Sequence, residues 1–438
     1  PMSEHLAQIT RPGGLFEDSA VTGTCWRGQV RRVRATLYRR LKPNGRLPPA
    51  VEVEEALNDV ATKWVASLAS AGIRARRATG QDLYAWLLKW FNPKPEIADG
   101  NPDKLLAIAP YPGDEALPFG HDLAERLTLT PPRSDNASAT WWFDDLPHTL
   151  VTIQGLRRAP EVGHMTAERQ AGDHVFSLFD RFPEHTVMVL TLTARPQDFT
   201  RNHIAQVKRA AVGDSAEAEL TREDAEAVER EMARGNKLYP LGMAFYVRGD
   251  DVKTLRANVN QLNALLLPNG LQPILHESDL LALDSYLRNL PMAYDASLDK
   301  ASRRSRLVFS SHTANLLPLY GRSKGTGHPG LVFFNRGAEP LVFDPLHRAD
   351  RKKNAHMLIL GPTGARKSAL LVKRLLQMAA TYRPRIFIIE AGGSFSLLGQ
   401  QFQAHGLRVN QVTLNPNTDV SLPPFADALR VLKKERQH

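Results

Sequence analysis

The sequence has 438 residues, 42% of them hydrophobic and 23% charged, which suffices for two or three globular cores and excludes a disordered tail. Its single cysteine, Cys25, excludes an internal disulfide and a multi-cysteine zinc cluster, and fits a reducing cytoplasm. The formal net charge of +10 favours acidic partners such as nucleic acid or an anionic membrane surface, and no apolar run approaches the roughly 20 residues that cross a bilayer.

Residues 1–140 are predicted to be mainly helical. The stretch "PAVEVEEALNDVATKWVASLASAG" has apolar side chains at helical spacing and a stop at Gly72, and "GQDLYAWLLKWF" predicts a second helix that ends at "NPKP". The apolar face of the first helix comprises Val53, Ala56, Leu57, Val60, Trp64, Val65 and Leu68. From residue 92 towards residue 140 the chain is rich in proline, glycine and aspartate, which predicts a long surface connection.

Residues 141–300 have the pattern of an α+β domain. "HTLVTIQGL" and "TVMVLTLTA" predict strands, and "LTREDAEAVEREMARGN" predicts a helix with capping-box-like spacing at Thr221 and Asp224. Strand, helix and strand follow at about residues 239–276 and predict a βαβ-like unit.

Residues 301–438 begin with a predicted hairpin, in which two apolar runs flank "NRGAE". A strand "HMLIL", a glycine-rich loop, the helix "KSALLVKRLLQMAATY" and a strand "RIFIIE" come next. This order is typical of the beginning of a doubly wound α/β ATPase core.

The loop "GPTGARKS" has the parts of a phosphate-binding loop. Met357–Leu360 would supply the strand, Gly361–Arg366 the turn, Lys367 the charge for the terminal phosphates, and Ser368 the hydroxyl for magnesium. The helix that follows would direct its N-terminus at the phosphates. The loop therefore predicts ATP and Mg²⁺ as ligands.

Arg366 departs from this pattern because phosphate loops have glycine there. Glycine adopts strained backbone angles and lets the chain pass close under the phosphate, so an arginine predicts impaired binding. Glu390, at the end of "RIFIIE", is a possible second contact to magnesium. No histidine pair has H-x-x-x-H spacing, which argues against a further metal site.

Three segments resemble the start of the motor domain in TraC-type conjugative-transfer ATPases of type IV secretion systems: "NAHMLILGPTGARKSALL", "RIFIIEAGGSFSLLGQQF" and "LNPNTDVSLPPFADAL". "LLPLYGRSKGTGHPGLVFFNRGAEPLVFDP" is similar to the segment that leads into that domain, and "DLYAWLLKWFNP" and "YPLGMAFYVRGDDVKTL" resemble parts of the N-terminal region. The resemblance implies a mixed α+β N-terminal domain followed by the beginning of a RecA-like P-loop ATPase domain.

The resemblance also implies function. By position, the nucleotide-binding residues are Gly361, Thr363, Gly364, Ala365, Lys367 and Ser368, with Ser368 on magnesium, Arg366 at a family glycine and Glu390 at a position where the family usually has aspartate. The implied protein is a bacterial cytoplasmic ATPase, peripheral on the inner membrane. It contacts inner-membrane and channel proteins, forms homo-oligomers that are hexameric in the family, and energises pilus assembly or DNA transfer.

Two alternatives stay open. One is a non-catalytic assembly protein that keeps a degenerate loop as a fold element, and the other is a DNA-translocating coupling ATPase that contacts DNA through its positive charge. The chain stops at His438, before the further strands and the arginine that such motors use. A truncated motor with little hydrolysis is therefore the expectation.

Overall fold

The computed structural model describes residues 32–38, 50–113, 123–171, 174–275, 278–319, 324–328, 330–334, 340–351, 353–362, 364 and 366–413. Its internal contacts divide the chain into unit 1, Pro1–Arg322, and unit 2, Ser323–His438. Helices and antiparallel sheets make up both, so the fold is mixed α/β. None of the described helices combines the length and the apolar character that a bilayer crossing requires.

The helices of unit 1 are α1 (Ala50–Ser70), α2 (Gly80–Phe91), α3 (Leu105–Ile108), α4 (Leu123–Leu127), α5 (Gln197–Ala210), α6 (Ala216–Ala233), α7 (Val252–Leu266), α8 (Ala282–Arg288), α9 (Ala296–Ser302) and α10 (Ser310–Leu316). Its strands are β1 (Arg133–Asp135), β2 (Thr140–Phe143), β3 (Leu146–Leu156), β4 (Arg169–Ala171), β5 (His174–Phe176), β6 (Val187–Leu192), β7 (Leu238–Arg248), β8 (Leu271–Pro273) and β9 (Arg306–Phe309).

A seven-stranded antiparallel sheet organises unit 1. The strand order is β1-β2-β3-β7-β6, with β8 paired to β3 and β9 paired to β7. Both β7 and β8 run antiparallel to β3, on opposite edges of it, so they are parallel to each other with β3 between them. The predicted order of strand, helix and strand at 239–276 is therefore present, as β7, α7 and β8.

The two faces of this sheet are both covered. Along β7, Met243, Phe245 and Val247 point into one core, while Ala244 and Tyr246 point into the other, as the two-residue period of a strand requires. Helix α7 covers the first face because its apolar side chains recur every three or four residues; they are Leu255, Val259, Leu262, Leu265 and Leu266.

The second face is an aromatic cluster. Trp90 from α2 packs edge-on against Tyr246 at 5.0 Å between ring centroids, and Tyr246 packs against Tyr286 of α8 at 4.7 Å. Trp141 belongs to the same cluster and donates from its indole nitrogen to the carbonyl of Leu283 at 3.1 Å. These tryptophans are packing residues.

Residues 92–140 form more than the predicted surface connection. In the described part, Leu105 of α3 is buried with Tyr84 and Leu88 of α2. The buried Asn92 side chain donates to the carbonyl of Leu127 at 2.6 Å. The abundant proline and glycine mark short turns between these contacts.

One helical prediction needs correction. Helix α6 begins at Ala216, where Ser215 accepts from the Ala218 amide at 3.2 Å. Thr221 therefore lies inside the helix and donates to the Glu217 carbonyl, and the capping box predicted at Thr221 and Asp224 is wrong.

Helix α1 is present as predicted and is followed by Gly72 in the left-handed region. In the part of the chain that the structure describes, the apolar face predicted for it is partly open to solvent, while Val53, Val65 and Leu68 are half-buried. The side chains of Leu57, Val60 and Trp64 are 47%, 45% and 42% exposed.

Unit 2 contains β10 (Leu331–Phe334), β11 (Pro340–Phe343), α11 (Lys367–Tyr382) and α12 (Ser396–Ala404). Strands β10 and β11 pair antiparallel, which confirms the predicted hairpin, although its turn at 335–339 lies outside the described residues. A small core joins the helices through Ala379, Leu398 and Phe402.

The strands predicted at Met357–Leu360 and in "RIFIIE" are absent from the described structure of unit 2. Leu358 and Leu360 are 80% and 81% exposed, and Phe387 and Ile389 are 90% and 101% exposed. A strand exists only when a neighbour binds its amides and carbonyls, and neither segment has a paired strand here. The RecA-like sheet expected from the sequence is therefore not formed by these residues.

Candidate nucleotide site

The helix that follows the glycine-rich loop forms as predicted. Helix α11 spans Lys367–Tyr382, and Val372, Leu375 and Ala379 recur at helical spacing towards α12. The helix begins at Lys367, directly after the loop. Arg366, the residue before it, makes no side-chain capping bond, so the loop ends at a helix N-terminus without a side-chain cap.

Arg366 lies in the left-handed region, with φ 59° and ψ 30°. A residue with a Cβ atom pays roughly 1–2 kcal/mol for that conformation, whereas glycine adopts it freely. The backbone at position 366 thus has the shape that glycine favours, with arginine as its side chain. Gly364 is also left-handed, with φ 83°, and a Cβ there would meet nothing within 4 Å.

Lys367 closes the loop through its ammonium group. The Nζ atom donates to the carbonyl of Gly361 at 2.7 Å and to the carbonyl of Pro362 at 2.9 Å. These two carbonyls accept from the ammonium group, and phosphate oxygens could replace them as acceptors. Ser368 follows in the first turn of the helix and is exposed.

The remaining predicted residues fall into two groups. Thr363 and Ala365 lie outside the described residues. Glu390 accepts from the backbone amides of Ser394 at 2.9 Å and Phe395 at 3.0 Å, so its two oxygens hold the turn that leads into α12. A magnesium role for Glu390 would require it to exchange one of these amide bonds.

Helix α11 is also tied to the hairpin. The side-chain amide of Gln377 donates to the carbonyl of Val332 at 2.9 Å and accepts from the Val332 amide at 3.3 Å. Tyr382 donates to Asp344 at the end of β11, and Lys373 lies 4.9 Å from the ring centroid of Phe333. The hairpin and the helix that starts at the loop therefore form one packed element.

Two histidines and an aspartate from the segments on either side of the hairpin form a cluster. The sequence analysis did not identify it. One ligand atom from each of His328, His347 and Asp350 lies within 4.8 Å of the others. The imidazole rings of His328 and His347 stack at 3.9 Å between centroids. The H-x-x-x-H criterion could not find this cluster, because the histidines come from two separate segments rather than one helix.

Asp350 is the centre of this cluster. Its Oδ1 lies 2.6 Å from Nδ1 of His328, and its Oδ2 accepts from Thr326 at 2.5 Å and from the Asp344 amide at 2.7 Å. Burial would raise the pKa of Asp350, but these hydrogen bonds outweigh it and lower the pKa to about 2. The carboxylate is therefore ionised at neutral pH.

Arginines from two basic segments form ion pairs with aspartates. Arg304 forms a bidentate pair with Asp279, and the two side chains are only 14% and 3% exposed. Arg76 pairs with Asp82 at 2.7 Å and 2.8 Å at the start of α2. The Arg304–Asp279 pair is buried, whereas the Arg76 side chain is 74% exposed. Of these two arginines, only Arg304 is therefore removed from contact with nucleic acid.

Comparison with known proteins gives one family. The family model described as TraC protein matches residues 1–294, about two thirds of the 438 residues. The match lies in unit 1 and ends before the hairpin and the loop. No curated protein matches the chain.

Proposed function

Because the chain belongs to the TraC protein family, which acts in conjugative transfer through type IV secretion systems, we propose that it is an ATP-binding component of such a system. It binds Mg²⁺-ATP at residues 361–368 and uses this nucleotide to support pilus assembly or DNA transfer. Arg366 weakens that binding.

The observation that supports this function best is the position of the Lys367 ammonium. It is held by the carbonyls of Gly361 and Pro362 at the start of a 16-residue helix. A polyphosphate in this loop would receive the lysine charge and the first amides of α11, the two features that bind phosphate in such loops. The exposed hydroxyl of Ser368 is the matching ligand for Mg²⁺.

The test is the binding of Mg²⁺-ATP to the full chain, measured by titration calorimetry. Lys367→Ala should abolish detectable binding, since it removes the cation that faces the terminal phosphates. Lys353→Ala, which removes an exposed lysine upstream of the loop, should leave binding unchanged. Equal binding by the Lys367 variant and the unmodified chain would contradict the proposed site.

The partners follow from the same proposal. The chain would act on the cytoplasmic face of the inner membrane, bind inner-membrane and channel proteins of the secretion system, and form a homo-oligomer, a hexamer as in the family. Light scattering with and without Mg²⁺-ATP tests the oligomer, and a monomer under all conditions would contradict it.

A second function, non-catalytic assembly, is favoured by two observations. The exposed apolar residues Leu358 and Phe387 lie in segments without paired strands, and Glu390 is bound by loop amides. In this alternative the loop is a fold element only. Measurable Mg²⁺-dependent ATP binding that requires Lys367 would exclude it.

A further inference from the structure

We propose that His328, His347 and Asp350 form a binding site for a divalent transition metal of the zinc class. Two imidazole nitrogens and one carboxylate oxygen are ligands that Zn²⁺ prefers, and three protein ligands plus a water make a common open zinc site. This site is separate from the magnesium position proposed at Ser368, and it does not depend on nucleotide binding.

The segment that carries His328 is brought to the hairpin by backbone contacts. The Val342 carbonyl accepts from the backbone amides of Thr326 at 2.9 Å and Gly327 at 3.1 Å. The Val342 amide donates to the backbone carbonyl of Lys324 at 2.9 Å. A Cβ at Gly325 would lie 2.1 Å from the Val342 carbonyl oxygen. Only glycine permits this close contact between the two backbones. The contact brings His328 beside the turn after β11.

The second half of the site is a compact turn. His347 donates its amide to the Asp344 carbonyl, and Asp350 donates its amide to the His347 carbonyl, each at 3.0 Å. These bonds set the spacing of His347 and Asp350 on one turn. The hydrogen bonds from Thr326 and from the Asp344 amide hold one oxygen of Asp350 and leave the other directed at His328. Metal-binding carboxylates are commonly oriented by such outer hydrogen bonds.

To enclose an ion, His328 and Asp350 need move only slightly, whereas His347 must turn out of its stacking on His328. Zinc bonds of about 2.0–2.2 Å place neighbouring tetrahedral ligands roughly 3.3 Å apart. The 2.6 Å separation of His328 Nδ1 and Asp350 Oδ1 would therefore open by less than an ångström if both atoms bound the ion. His347 is exposed, and turning it towards the ion would replace its stacking on His328 and the 3.2 Å contact from the Ala349 amide to its Nδ1.

The experiment uses the full chain, stripped of metal and titrated with Co²⁺ in the absence of nucleotide. Tetrahedral Co²⁺ absorbs visible light far more strongly than octahedral Co²⁺. We expect one strongly absorbing Co²⁺ per chain, displaced by Zn²⁺ and not by excess Mg²⁺, which prefers oxygen ligands.

Variants assign the signal to these residues. His347→Ala changes an exposed side chain and should weaken Co²⁺ and Zn²⁺ affinity at least tenfold, as should His328→Ala. Thr326→Val, which removes a hydrogen bond to Asp350 but no ligand, should weaken affinity less. His405→Gln, at an exposed histidine of the same unit, should leave it unchanged.

The proposal is overturned by absence of the strong Co²⁺ spectrum, by displacement with Mg²⁺, or by unchanged affinity in the folded His347→Ala variant. Circular dichroism of each variant establishes that it is folded. If His328→Ala does not fold, the His347→Ala result decides alone, because the exposed His347 side chain carries little of the packing.

Discussion

At the scale of single residues, Arg366 and His148 illustrate two kinds of information. The phosphate-loop motif identified Arg366 as unusual, because the motif has glycine at this position. The left-handed backbone at Arg366 is the conformation that a glycine there would favour. No sequence motif identified His148 of β3. Its side chain is buried, at 4% exposure, among Trp90, Phe143 and Tyr286. Its environment exists only after distant segments have packed.

Replacing Arg366 with glycine should raise the free energy of unfolding of unit 2 by about 1 kcal/mol, because the left-handed strain disappears. It should also raise Mg²⁺-ATP affinity, because the Cβ no longer obstructs the phosphate. Arg383→Gly is the matched control, since Arg383 caps the other end of α11 with φ 47°. It should stabilise the unit without changing affinity. Unchanged affinity in Arg366→Gly would show that position 366 does not obstruct the nucleotide.

His148 should make unit 1 sensitive to acid. Burial, with smaller contributions from Arg248 and His185, lowers the pKa of His148 to about 3, whereas an unfolded histidine titrates near 6.5. Above pH 6.5 both states are neutral. Between pH 6.5 and 3 the unfolded state alone binds the proton. The free energy of unfolding therefore decreases as the pH is lowered, by up to about 1.4 kcal/mol per pH unit.

Denaturant unfolding of unit 1 at several pH values measures this slope. His148→Asn keeps a polar atom for Tyr286, whose hydroxyl lies 3.2 Å from His148 Nδ1, and should flatten the slope even if it lowers stability at pH 7. His203→Asn, on the exposed side of α5, should keep the slope of the unmodified chain. An unaltered slope in His148→Asn would assign acid sensitivity to other groups.

At the scale of elements, the long periodic segments were predictable and the short or partner-dependent ones were not. Strands β3 and β6, helix α7 and the hairpin of β10 and β11 follow directly from apolar periodicity. Strand β1 has three residues, all exposed, and is defined by its pairing with β2, which no local signal contains. The "HMLIL" and "RIFIIE" segments have strand composition but lack paired neighbours.

Helix α7 provides the prediction at this scale. Leu262 is fully buried at 0% exposure in the core beneath the sheet, so Leu262→Ala should cost about 2–5 kcal/mol through lost burial and a residual cavity. Leu280, 95% exposed, is the control, and Leu280→Ala should change stability by less than about 0.5 kcal/mol. Chemical denaturation measures both, and a small loss at Leu262 would mean that α7 does not pack as described.

At the scale of the whole molecule, the chain consists of two units with separate cores. The family match falls within unit 1, whereas the phosphate-loop pattern and the histidine cluster lie in unit 2. The phosphate-loop pattern is visible in the sequence, whereas the cluster of His328, His347 and Asp350 comes from segments that only folding brings together.

Separate cores predict two thermal transitions in scanning calorimetry. Leu262→Ala should lower only the transition of unit 1, and Phe402→Ala, in the small core of unit 2, only the other. A single transition that both substitutions shift together would show that the units unfold as one.

The position of β3 between β7 and β8 determines when the sheet can be completed during synthesis. Strand β3 ends at residue 156. The strands that pair with its two edges, β7 and β8, span residues 238–248 and 271–273 and are made much later. Roughly a hundred residues must therefore leave the ribosome while β3 has an unpaired edge, and contacts this distant in sequence slow folding. Strand β3 is thus among the first strands synthesised and remains incompletely paired until β7 and β8 have been made.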